Sequence, residues 1–211
     1  LEDGEPFDVE MPVIRNDGGE RWVHVRGARK RRGEDSFVLT GTLQDITSRR
    51  EVEQTLEEER KVLRRMYRIT ANRDRSFDEK VGELIDLGRS YLGLPYGHVA
   101  RISGDTQEIK YARGGHPMLS PGKSCPLSQS YCRKTIQQEG LLVVQNAPDE
   151  GWEGDPAYEV FGLGAYVGSK IQVGGDVYGT FCFSAEEPRE KPFTEQEKTF
   201  VELLTLWARY E

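Results

Sequence analysis

Apolar positions follow a period of two at the start of the chain, then a period near three and a half, then a mixture of both. In PFDVEMPV, Phe7, Val9, Met11 and Val13 alternate with other residues, the spacing of a half-buried strand. Asn16-Asp17-Gly18-Gly19 follows as a strong hairpin signal, because Asp-Gly tolerates the positive φ angles of a tight turn. RWVHVRG and SFVLTGTLQDI read as two further strands, the second with Phe37, Leu39, Gly41 and Leu43 on one face. Three antiparallel strands without a covering helix do not make a stable domain. The chain also opens on strand-like sequence without Met, so we expect it to belong to a longer protein.

The period changes at Thr47. Asp45 or Thr47 can cap a helix, and SRREVEQTLEEERKVLRRMYRIT runs on without Gly or Pro. Val52, Leu56, Leu63, Met66 and Thr70 fall at spacings of three and four, with Glu59 interrupting, which is a short coiled-coil register. The pattern predicts a homodimer with Val52, Leu56, Leu63 and Met66 at its interface. The plainer alternative is an amphipathic helix packed on its own domain.

A second domain begins near Ser76, where Ser76 and Glu79 have the spacing of a capping box. Val81, Leu84, Ile85, Tyr91 and Leu92 mark one face of the helix that follows. Strands are expected over 96–103 and 107–113, a helix over 128–138 ended by Gly140, and a strand at LLVVQ. AYVGSKIQV and DVYGTFCFS read as a hairpin joined by Gly174-Gly175. Thr194 and Glu197 cap a final helix with Phe200, Leu203, Leu204 and Trp207 on its buried stripe. The order predicts an α+β fold, an antiparallel sheet flanked by helices.

Composition narrows the function classes. Across 211 residues the formal net charge is −7, which disfavours nonspecific nucleic-acid binding. No run approaches about 18 apolar residues, so no membrane span is expected, and the polar, acidic opening leads us to expect no signal peptide. Three cysteines at irregular spacing favour a reducing cytoplasm over a disulfide framework.

LSPGKSCPLSQSYCRKTI carries the sharpest chemistry, with Cys125 and Cys132 seven residues apart. A thiol pair would make a redox enzyme or sensor; the plain reading is a loop feeding a helix, with Cys132 as a small apolar residue near Tyr131, Thr135 and Ile136. His98, His116, Cys125 and Cys132 are the potential metal ligands, but no Cys-x-x-Cys or His-x-x-x-His pair occurs, so no metal is expected. A small-molecule pocket would lie between the sheet and segments 115–138 and 146–163. Tyr96, His98, Tyr111, Tyr131, Trp152 and Phe161 are its candidate lining. GLGAYVG lacks the Lys of a phosphate-binding loop.

Two families are resembled. NDGGERWVHVRG and GTLQDITSRREVEQTL look like the C-terminal part of a PAS domain, carried by Gly41, Asp45, Ile46 and Thr47 of a Gly-x-x-x-Asp-Ile-Thr pattern running into a signalling helix. Residues 73–211 resemble a GAF domain, most specifically in AYVGSKIQVGGDVYGTFCFS and FTEQEKTFVELLTLWARYE. PLSQSYCRKTI and FGLGAYVG resemble GAF modules of multi-sensor histidine kinases and related regulators, haloarchaeal ones among them. The resemblance implies a PAS tail over 1–47, a helical linker over 48–72 and a GAF domain over 73–211. Free methionine sulfoxide reductases of this family use cysteines in the Cys132 region, but their catalytic thiol would fall near Pro156-Ala157-Tyr158-Glu159-Val160, where no Cys stands. Phytochrome-type members hold a bilin through a Cys-His pair near Pro156-Ala157, which is also missing. The Asn-Lys-x-Phe-Asp-Glu signature of cyclic-nucleotide GAF domains does not occur. The expectation is thus a cytoplasmic sensory or relay segment, dimeric, without cofactor or catalysis, whose output domain lies elsewhere.

Overall fold

The computed structural model describes residues 6–31 and 37–210. The chain divides into two compact units, Leu1–Arg60 and Lys61–Glu211.

The first unit is a three-stranded antiparallel sheet, β1 (Pro6–Ile14), β2 (Glu20–Arg31) and β3 (Phe37–Asp45), in the order β1-β2-β3. The Asp-Gly turn forms as its sequence predicts: Gly18 takes φ +82°, and Asp17 accepts a hydrogen bond from the Gly19 amide at 3.0 Å. Helix α1 (Thr47–Thr70) starts where Asp45 accepts from the Thr47 amide at 2.9 Å. Its first turns lie on the face that carries Glu10 and Trp22, since Arg49 and Arg50 both pair with Glu10 and the Arg50 guanidinium sits 4.6 Å from the Trp22 ring.

The opposite face holds the period-two apolar positions, paired as Val9 with Val25 and Val25 with Leu43. The expected half-burial is met only in part there, with Phe7 and Val13 half-buried and Val23 buried. Leu39 and Leu43 are each 67 % exposed, and Val9 and Met11 are exposed as well, because α1 covers the other side. The side chain of Phe37, assigned to this face from the sequence, lies outside the described residues.

The second unit is a six-stranded antiparallel sheet of order β6-β5-β4-β9-β8-β7. Its strands are β4 (Tyr96–Ser103), β5 (Thr106–Arg113), β6 (Ser124–Pro126), β7 (Leu141–Val144), β8 (Ala165–Val173) and β9 (Asp176–Ala185). Helices α2 (Phe77–Leu92) and α5 (Glu195–Tyr210) cover one face, with α3 (Cys132–Thr135), α4 (Pro156–Phe161) and long loops on the other. Both predicted capping boxes form. Ser76 and Glu79 exchange hydrogen bonds at 3.3 and 2.8 Å, and Thr194 and Glu197 at 3.2 and 2.8 Å. Gly174 and Gly175 take φ +63° and +97°, the sign a two-residue hairpin loop between twisted strands needs.

Two expectations change. The helix predicted over 128–138 shrinks to a 3₁₀ turn (Leu127–Gln129) and the four residues of α3. The break falls at Ser130, whose backbone is extended (φ −126°, ψ 153°) and separates the turn from α3. Second, Met66 does not stay on an open stripe. With Val62 and Ile69 it packs on the core under α2 and α5, while Val52, Leu56 and Leu63 are 58, 53 and 46 % exposed. The division between the two compact units falls inside α1, between Arg60 and Lys61.

Candidate functional site

The loop-covered face of the six-stranded sheet gathers most of the side chains that the sequence nominates. Side chains alternate along strands, so His98 on β4 shares this face with Cys182 on β9, its direct cross-strand partner. On their other sides stand Ala112 on β5, opposite His98, and Gly168 on β8, opposite Cys182. These small neighbours leave room above the pair. A Cβ at Gly168 would lie 2.8 Å from Cys182 Sγ and 2.6 Å from the Tyr166 hydroxyl, so the glycine makes space for both.

Cys132 enters from α3. Its sulfur sits 3.0 Å from Thr180 Oγ1, and the Tyr166 hydroxyl lies 2.9 Å from Cys182 Sγ and 2.7 Å from Thr135 Oγ1. One ligand atom from each of His98, Cys132 and Cys182 lies within 4.8 Å of the others, and all three residues are buried. A hydrogen bond from Cys182 holds the Cys132 thiol well below its ordinary value against the upward push of burial, with the His98 imidazole helping. Burial, with the Cys132 sulfur beside it, pushes Cys182 well up. Burial likewise pushes the Tyr166 and Tyr131 phenols up.

A short aromatic stack closes the site. The Tyr131 ring lies 4.5 Å from that of Trp152 and 5.0 Å from that of Tyr166, both nearly parallel, and Lys134 Nζ sits 3.7 Å from the Trp152 centroid. The Tyr131 hydroxyl donates to the Leu163 carbonyl at 2.6 Å. Asp155 caps α4 by accepting from the Ala157 amide at 2.9 Å and also pairs with Arg133 and Lys134, tying α3 to α4. Its carboxyl, which burial would raise, is held low by these donors. Nearby, His116 Nδ1 accepts from the Met118 amide at 3.1 Å, so its Nε2–H donates to the Phe161 carbonyl at 3.0 Å.

Of the six nominated pocket residues, Tyr96, His98, Tyr131, Trp152 and Phe161 share this face. Tyr111 does not. It pairs with Val99, whose side chain faces α2 and α5, and its hydroxyl bonds Asp78. There it lines a larger apolar cavity of about 270 Å³ with Phe77, Val81, Val99 and Phe181. The cavity beside His98 and Tyr131 holds only about 10 Å³. Cys125 lies on β6, only partly buried, and burial raises its thiol; the sulfur hydrogen-bonded to Cys132 is that of Cys182 instead. Cys182, Gln107, Tyr166 and Thr180 were not singled out from the sequence. The signal for Cys182 lay in the alternation of DVYGTFCFS, but its partner strand lies more than 80 residues upstream.

The profile of the GAF domain family matches residues 76–209, more than half of the chain. The chain belongs to the GAF domain family. GAF domains are sensory modules found in phytochromes and signalling proteins. Three solved structures share the fold. The GAF domain of an Acinetobacter phosphoenolpyruvate-protein phosphotransferase is 17 % identical, with TM-score 0.56, 72 % of this chain covered and 89 % of the other. Free methionine-R-sulfoxide reductase from Neisseria meningitidis, solved with its substrate, is 12 % identical with TM-score 0.57, covering 72 and 86 %. The chromophore-binding domain of Stigmatella aurantiaca phytochrome P1 is 14 % identical with TM-score 0.55, covering 95 and 72 %. An uncharacterized Sinorhizobium fredii protein, y4lL, is 42 % identical over 60 residues, which are 28 % of this chain and 7 % of that protein's length. Among the described residues no helix is long and apolar enough to cross a membrane.

Proposed function

We propose that this chain is a cytoplasmic sensory or relay segment of a longer signal-transduction protein, a sensor histidine kinase or a related regulator. In this reading residues 1–47 are the C-terminal part of a PAS domain, α1 is a signalling helix, and the GAF domain senses a small ligand or relays a conformational change. The segment has no catalysis of its own. The observation that carries the reading is α1, 24 residues of helix with no Gly or Pro to act as a swivel. It begins directly from Asp45-Ile46-Thr47 and ends with Met66 and Ile69 in the GAF core. The Gly41, Asp45, Ile46 and Thr47 pattern running straight into α1 supports a PAS-like first unit. The exposed stripe of Val52, Leu56 and Leu63 supports dimerisation through this helix.

Each residue inserted into a helix turns it by about 100°. Fusing the chain ahead of a histidine-kinase core gives a measurable output. Seven residues inserted after Glu58 should largely preserve ligand- or mutation-induced changes in autophosphorylation, and two residues, a turn of about 200°, should disrupt them. Equal output from both insertions would reduce α1 to a tether and end the relay reading.

A second reading is a thiol-redox sensor or enzyme, for which the sequence offers Cys125 and Cys132. The contact between Cys132 and Cys182 favours that pair instead. Both of its thiols are buried, however, so an oxidant would need α3 to open first.

A further inference from the structure

We propose that His98, Cys132 and Cys182 form a site for one soft divalent metal ion of the zinc class, with water at the fourth position. In its purpose this rests on the sensory reading above, since the ion would be what the GAF domain holds or detects; its chemistry does not depend on it. Two sulfurs and one imidazole within 4.8 Å of one another are the donor set that borderline-soft ions favour over harder ones. The placement is built by the fold. Direct β4–β9 pairing sets His98 beside Cys182, the small residues Ala112 and Gly168 flank them, and α3 lowers Cys132 onto the pair.

Unpartnered polar atoms point the same way. His98 Nδ1 and Gln107 Oε1 are both buried without a hydrogen-bond partner, and both residues line the small cavity with Cys132. Its volume of about 10 Å³ is that of a single water. A metal-bound water there would give Gln107 Oε1 the donor it lacks.

The surroundings suit thiolate ligands. Thr180 and Tyr166 each place a hydroxyl within hydrogen-bond reach of one sulfur, at 3.0 and 2.9 Å, where each can donate to a thiolate. Two thiolates and a divalent cation sum to zero charge, so a neutral assembly, not a bare ion, is what the sheet buries. The protons leave both thiols as the ion binds.

Co(II) is the direct probe. Chelator-treated protein should take up one Co(II) per chain, with the strong visible bands of tetrahedral thiolate-bound cobalt, and Zn(II) should bleach them. Cys125→Ser should keep the bands. Cys182→Ala and His98→Gln should each lose them or weaken binding at least roughly tenfold, with circular dichroism reporting whether each variant folds. If both variants unfold, the wild-type chain still decides, because Zn(II) should raise its Tm and further slow the alkylation of Cys132 and Cys182 that occurs through transient opening, while leaving the rate at Cys125 unchanged. Absence of bands together with an unchanged Tm would overturn the proposal. So would bands that persist in both folded variants. A negative result leaves the insertion test of α1 intact, since that experiment needs no ion, and failure of the insertion test leaves the cobalt result standing.

Discussion

On the helix-covered face of the six-stranded sheet, Leu84, Ile85, Phe181, Phe183 and Leu204 pack as an apolar layer. The loop-covered face mixes apolar side chains with His98, Gln107, Thr135, Thr180 and Ser184, all buried. The difference follows from what covers each side. Long helices such as α2 and α5 satisfy their own backbone groups, so they can present an unbroken apolar stripe. A lid of four- and six-residue helices with loops leaves carbonyls such as Leu163 and Phe161 to be met by side chains, here Tyr131 and His116. A cavity of about 270 Å³ borders Val99 on the apolar face, whereas the one beside His98 on the polar face holds about 10 Å³.

The largest effect should come from the helix-covered layer. Leu84 is fully buried against the sheet, and Leu84→Ala should cost roughly 2–5 kcal/mol in urea unfolding. A loss well under 1 kcal/mol would mean that the layer is not tightly coupled to stability. On the polar face Tyr166→Phe should cost about 1–3 kcal/mol, because the hydroxyl serves both Thr135 and Cys182 inside the core.

Adding one methylene tests the packing contrast itself. Val144→Ile, in the dense face, should destabilise by about 1–3 kcal/mol. Val99→Ile borders the larger cavity and should be neutral or stabilise by up to about 0.8 kcal/mol. Equal effects at the two sites would remove the distinction between the faces.

The smallest effect is a pH dependence. Burial, with the hydrogen bond to Asp78, raises the Tyr111 phenol from 10.0 to about 12. A raised folded-state value stabilises the protonated form, so this contribution is complete below 10.0 and fades as pH rises toward about 12. The stability difference between wild type and Tyr111→Phe should therefore shrink across that interval. A difference that stays constant through it would show that Tyr111 ionises as easily folded as unfolded.

Local chemistry was readable wherever a few neighbouring residues decide it. The Ser76–Glu79 and Thr194–Glu197 boxes, the Asp17-Gly18 and Gly174-Gly175 turns and the helix running from Thr47 were all written in short stretches. Segment 128–138 was not, because the extended backbone of Ser130 that splits it does not show in apolar periodicity. Burial in the first unit is uneven for a related reason: the alternation through Val9 and Leu43 identifies a face but not what covers each position, so Val23 is buried while Leu43 is exposed.

The sequence by itself determined the capped starts of α2 and α5, the two tight turns and the membership of residues 76–209 in the GAF family. Tertiary structure alone decided which thiol Cys132 meets, which face Tyr111 joins and that Met66 packs into a core. Each of these depends on pairing between strands or on docking of helices far apart in the chain. Such contacts are fixed by register and by the space left at Ala112 and Gly168, and no local spacing along the chain encodes them.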